Sequence, residues 1–211
     1  MSEFLSNPEY WLSLIAVVVS LITLILTYKQ IGQSNKLQLL DRRISKYNLI
    51  CDLVHLYCKN KNLIYSETLY QEVQMPFSWL TNNTYLAKMY PVMEKVLSQS
   101  EQNEFLTICE KMTNDAFEIT IIFNGEESKI ANDFVKQYLT LLKLFYKQQI
   151  ALNYLREQNH KSPMSIEKFN TKALESFEKF KIDDAINNLS ETYDKIICKN
   201  VLEKLLKQVK P

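Results

Sequence analysis

The chain has 211 residues, with 25 Lys and Arg against 24 Asp and Glu, and its net charge of +1 gives no general basic field for nucleic acid. Two glycines and five prolines are too few for a fold of many tight turns, and no glycine-rich phosphate loop can be written from them. Four cysteines without paired spacing do not make a disulfide framework, and two histidines leave little room for His-based metal or acid–base sites.

Residues 1–9 carry Glu3 and Glu9 and no basic side chain. Residues 10–28, YWLSLIAVVVSLITLILTY, carry no charge. As a helix they extend about 28 Å, close to the thickness of a bilayer's hydrocarbon core. Tyr10, Trp11 and Tyr28 stand where interfacial aromatic residues belong. A cleaved signal peptide fits less well, because no basic stretch precedes the run and no A-x-A site follows it. A single-pass transmembrane helix is therefore expected. Lys29, Lys36, Arg42, Arg43 and Lys46 follow it, opposed by Asp41 alone. The positive-inside rule then puts the N-terminus outside and residues 29–211 in the cytoplasm, where thiols stay reduced.

These five juxtamembrane basic residues would favour anionic lipid heads by about 1 kcal/mol each near the surface. Arg42 and Arg43 lie farther out, about 20 Å beyond Tyr28 on a straight helix, and suit protein acids or a partner better than lipid. Within the span, Ser13, Ala16, Ser20, Thr23 and Thr27 recur at heptad spacing, and Gln30 and Ser34 continue the series. Such a stripe is either the seam or pore face of a homo-oligomer, or an accident in which each hydroxyl bonds back to its own helix.

Residues 29–60 read as a juxtamembrane and linking helix, with Leu40, Ile44, Tyr47, Cys51, Val54 and Cys58 on one seam and Leu39, Leu49, Leu53 and Leu56 widening it. Residues 61–211 read as an all-α domain of six or seven helices. Leu63–Val73 is expected to be helical and to end at Met75-Pro76, followed by a short segment at Phe77–Leu80 and a turn at Thr81-Asn82-Asn83. Tyr85–Leu97 is expected to be helical despite Pro91. The next helix shows an apolar face of Phe105, Cys109, Met112, Ala116, Ile119 and Phe123, and its β-branched end stays helical by spacing. Asn124-Gly125 closes it. Glu126–Gln158 is the longest soluble helix, with Ile130, Phe134, Tyr138, Leu141, Phe145, Leu152 and Leu155 inward. Ile166–Phe180 and Asp183–Val209 complete the bundle.

Little of this carries chemistry. Cys51, His55 and Cys58 share a helix face in a pattern usable by zinc, but small buried hydrophobes are the simpler account, and no metal or cofactor is expected. Glu126-Glu127 and Asp183-Asp184 suit helix starts. Arg156-x3-His160 resembles the Arg-x4–6-His motif of HEPN-type ribonucleases, one residue short. That resemblance implies Arg and His from paired protomers acting at a ribose 2′-hydroxyl; a solvated helix end is the competing account. No catalytic residue is assigned, and no sequence-specific nucleic-acid binding is expected.

The segment KQIGQSNKLQLLDRRISKYNLI, directly after an uncharged span, resembles a group of small bacterial proteins. In these an N-terminal anchor is followed by a phrase close to LFD+R++IY and a helical cytoplasmic domain. Several belong to antiviral systems, including the membrane accessory proteins that accompany Cas13b and abortive-infection effectors. The resemblance covers residues 10–50 and extends over the remainder only as helical character. It implies an oligomeric effector that compromises the inner membrane when a cytoplasmic signal or partner reports infection. A membrane-tethered scaffold that recruits a cytoplasmic partner, without permeabilising anything, is the alternative; an anchored HEPN-like ribonuclease is the third.

Overall fold

The computed structural model describes residues 8–64, 84–89 and 91–209, and every regular element among them is helical. Helix α1 spans Pro8–Ile64. Two single turns follow, α2 (Thr84–Ala87) and α3 (Pro91–Glu94), then α4 (Gln99–Ile122), α5 (Glu126–Lys161), α6 (Ile166–Lys179), α7 (Ile182–Cys198) and α8 (Val201–Val209). Gly32 lies inside α1 with open space where a Cβ would stand. One glycine costs a helix about 1 kcal/mol, too little to break one this long. By its internal contacts the chain divides into two units, Met1–Arg42 and Arg43–Pro211.

The second unit is built around α5, against which α3, α4, α6, α7 and α8 all pack. The sequence makes this helix central because its apolar side chains recur at intervals of three and four on more than one flank. Ile130, Phe134, Tyr138, Leu141, Phe145, Leu152 and Leu155 are all buried, as the spacing predicted. So are Phe105, Cys109, Met112, Ala116, Ile119 and Phe123. The β-branched stretch after Phe117 stays helical to Ile122, because its side chains continue the face that α4 turns to the core.

Helix α4 begins at a capping box. The Ser98 side chain accepts from the Glu101 amide and the Glu101 carboxylate accepts from the Ser98 amide, satisfying two orphan donors. A hydrogen bond from Lys95, joined by those from Ser98, holds the Glu101 carboxyl down at about 2. An aromatic cluster ties three helices together. Tyr57 of α1 meets Phe134 of α5 edge-on at 6.3 Å and Tyr193 of α7 at 4.7 Å, and Phe134 in turn meets Tyr138 at 6.0 Å.

The structure corrects the sequence reading at four places. The core face of α1 is Leu49, Ile50, Leu53, Val54, Leu56, Tyr57 and Asn60; Ile44 and Cys58 of the expected seam are exposed. Asn60 is buried with its amide donating to the Leu56 carbonyl. Pro91 starts a separate turn instead of kinking one long helix, as expected of a residue whose fixed φ suits a first helical position. Asp183–Val209 is two helices, because Asn200 adopts a left-handed φ of 51° between α7 and α8. Gly125 has φ 88° and ψ −173°, a region open essentially to glycine alone, and it sits at the start of α5 instead of closing α4 in the αL conformation. The expected segments from Tyr65 to Asn83 lie outside the described residues, as do residues 1–7.

Candidate functional site

In the first unit the apolar run is exposed along its whole circumference. Every side chain from Trp11 through Leu39 is exposed, and an 18-residue window of α1 reaches a mean hydropathy of 2.3 with none of it buried. Leaving that much aliphatic surface in water is unfavourable by about 25 cal/mol per Å². A nonpolar surrounding is what this segment requires.

The polar stripe along it is satisfied within the helix. Ser20 Oγ donates to the Ala16 carbonyl, Thr23 Oγ1 to the Val19 carbonyl and Thr27 Oγ1 to the Thr23 carbonyl, each at 2.8 Å. Each hydroxyl proton is thus used inside α1, and its oxygen keeps lone pairs that can still accept. Ser13, Ala16, Gln30 and Ser34 continue the exposed face.

The five basic residues after the span separate into two groups. Lys29, Lys36 and Arg42 are exposed. Arg43 and Lys46 are bound into the bundle. Arg43 Nε donates to the Ile122 carbonyl and one of its terminal nitrogens to the Gln208 carbonyl, both at 2.8 Å. A cation is thereby shared by the negative ends of α4 and α8. The Gln208 side chain adds a second tie, accepting from the Asn124 amide at 2.8 Å and donating to the Asn124 carbonyl at 3.0 Å. Lys46 Nζ lies 2.5 Å from Asp115 and 2.8 Å from Glu118. Burial opposes its charge, but these two carboxylates outweigh it and raise its pKa.

The Cys51–His55–Cys58 face does not converge. Cys51 is half-buried, with burial pushing its thiol up, while His55 and Cys58 are exposed. Among the described residues no three His, Cys, Asp or Glu side chains are placed to hold a metal ion.

Arg156 and His160 do converge, on an open cleft of about 230 Å³ lined also by Asn159, Met164, Ile166 and Phe169. The cleft exists because α6 folds back on the end of α5. Leu152, Leu155, Ala173 and Phe169 form a small core beneath it. Gln148 donates to the Ala173 carbonyl at 3.2 Å and accepts from Ser176 at 3.0 Å. Above them the Met164 amide donates to Asn159 Oδ1 at 2.8 Å, and Ser165 caps α6.

Comparison with protein-family models, curated proteins and solved structures gave no match. The site residues are therefore described by their own geometry. Two of their roles were invisible in the sequence. Arg43 binds helix-end carbonyls, which no side-chain pattern announces. Met164, Ile166 and Phe169 meet Arg156 only because the Ser162-Pro163 turn reverses the chain.

Proposed function

We propose that this chain is a single-pass, membrane-anchored, oligomeric effector of bacterial anti-phage defence, acting on the membrane without catalytic turnover. Residues 10–28 cross the inner membrane, the N-terminus faces outward, and residues 29–211 lie in the cytoplasm and receive a signal or protein partner. One observation carries the membrane part: the uncharged run is exposed on all sides from Trp11 to Tyr28, while the second unit folds around a core that does not include it. A cleaved leader fits this less well, because α1 continues without a break to Ile64. The basic residues after the span set the direction. The defence role rests on the resemblance of residues 10–50 and on the polar stripe.

The non-permeabilising tether is the second reading. What favours it is the back-bonding of Ser20, Thr23 and Thr27, which lets these three side chains face lipid with their hydroxyl protons satisfied.

A membrane-potential dye in cells expressing the chain separates the two: potential collapses if the effector reading holds and is unchanged if the chain only tethers. Replacing Ser20 and Thr23 together with Leu removes small, polar contacts worth about 0.6 kcal/mol per interhelical hydrogen bond and blocks close helix approach. Replacing Val18 and Ile22 with Leu, on the opposite face, changes lipid contacts alone. The effector reading expects the first pair to reduce depolarisation and the second to leave it intact. Equal behaviour of the two pairs would make the stripe accidental.

A further inference from the structure

We propose that the cleft between the end of α5 and the start of α6 binds a small, ring-bearing phosphate ester. Its chemistry does not depend on whether α1 crosses a membrane. Arg156 and His160 stand one turn apart on the same face of α5, with Cβ atoms roughly 5–6 Å apart, so both reach one phosphoryl group. Neither has a hydrogen-bond or ion-pair partner among the described residues. A guanidinium offers parallel donors matched to phosphate oxygens. Asn159 accepts from Met164 through its oxygen, which orients its amide NH2 as a further donor. The first turn of α6 adds the positive end of a helix to the same cleft. Glu157 and Glu167, the nearest acids in the sequence, are not among its lining residues, and Glu157 is held by Asn153 at 2.9 Å.

The other wall is apolar: Met164, Ile166 and Phe169. Ile166 is 82% exposed, the most of any large apolar side chain among the described residues of the second unit. A bare phosphate ion would leave that surface uncovered. A ring beside the phosphoryl group would cover it. About 150 Å³ suffices for a benzene-sized ring, so 230 Å³ accommodates a ring and a phosphoryl group together. The site is largely preformed, because the Asn159–Met164 bond, the Ser165 cap and the small core below fix both walls.

The test uses the full-length chain in detergent with ¹³C-methyl-labelled isoleucine and methionine, titrated with phenyl phosphate. Saturable shifts of the Ile166 and Met164 methyls are expected. Arg156→Ala should weaken binding at least about tenfold, with Arg156→Lys recovering part of it as a point charge. Ile166→Ala should weaken it roughly threefold or more through lost apolar contact. Both residues are exposed, so these variants keep the fold, and the unchanged methyl spectrum of the core confirms it. Inorganic phosphate should bind more weakly than phenyl phosphate. The proposal is overturned by absence of saturable shifts at millimolar phenyl phosphate, by binding indifferent to Arg156→Ala, or by inorganic phosphate binding equally well. A 5′-phosphorylated RNA oligonucleotide that binds far more tightly than phenyl phosphate would reassign the cleft to nucleic acid and overturn it too.

Discussion

Lys46→Met is expected to lower the midpoint of thermal unfolding by roughly 6–12 °C, the consequence of about 3 kcal/mol lost from a domain of this size. The lysine side chain is 12% exposed and its partner Asp115 11%. Methionine fills the same space, so packing is kept and only the cation is lost. What remains is Asp115 and Glu118, two carboxylates drawn to one point between α1 and α4 without the lysine that both of them bind. Removing one member of a buried pair costs more than the pair contributes, because the survivor keeps its desolvation penalty. Neutralising both in the same background, with Asp115→Asn and Glu118→Gln, should recover most of the loss. If the triple variant is no better than Lys46→Met alone, the loss is one of packing. The pH dependence of the unaltered protein follows from the sign of the shift. The Lys46 pKa is raised from 10.5 in the folded state, so its contribution is complete below that pH and is lost as pH rises through the raised value. Alkaline denaturation followed by circular dichroism should therefore lose its Lys46-dependent part above about pH 10.5.

Phe134→Ala should be more damaging still, by about 4 kcal/mol or roughly 8–16 °C. Phe134 is fully buried in the first half of α5, with Tyr57 and Tyr138 packed edge-on to its ring. The cavity left by alanine would open where α1 and α5 meet. Both tyrosines flanking it project from rigid helices and cannot swing in to fill it. Against a total stability of about 5–15 kcal/mol, that loss brings the domain close to unfolding. Phe134→Leu, which retains most of the volume, should cost less than about 1.5 kcal/mol. Thermal melts of the two variants decide the matter, and similar losses for both would mean that the ring geometry counts for more than volume.

The places where the sequence was and was not legible have physical reasons. Helices α4 and α5 were readable because both flank a two-sided core, so their periodic apolar faces had to be buried whatever the topology. The phase of α1 departs from its apolar spacing because Cys58 is exposed while Tyr57 and Asn60 are buried. Tyr57 is buried through its ring contacts and Asn60 by bonding to its own helix. The division between α7 and α8 carries no Gly or Pro, and asparagine's tolerance of the left-handed region is a weak signal by itself. Proximity to the span marks Lys46 only as a juxtamembrane charge, and distance along the helix marks Arg43 as suited to protein acids or a partner; Lys46 is the one that finds acids, and Arg43 finds helix-end carbonyls. Their partners, Asp115, Glu118, Ile122 and Gln208, come from distant segments, and only the fold brings them together. The spacing of Arg156 and His160 is legible in the sequence; the apolar half of their cleft comes from Met164 in the following loop and from α6.

Site-directed thiol labelling tests the membrane reading most directly. A Ser2→Cys variant is treated in intact cells with a membrane-impermeant maleimide, before and after permeabilisation. Among the native thiols Cys58 and Cys198 are exposed, whereas Cys51 and Cys109 are sheltered and have their pKa values raised by burial, which slows thiolate chemistry. The account predicts that the cysteine at position 2 reacts in intact cells and that Cys58 and Cys198 react only once the membrane is opened. Labelling of Cys58 and Cys198 in intact cells, with position 2 protected, would contradict it.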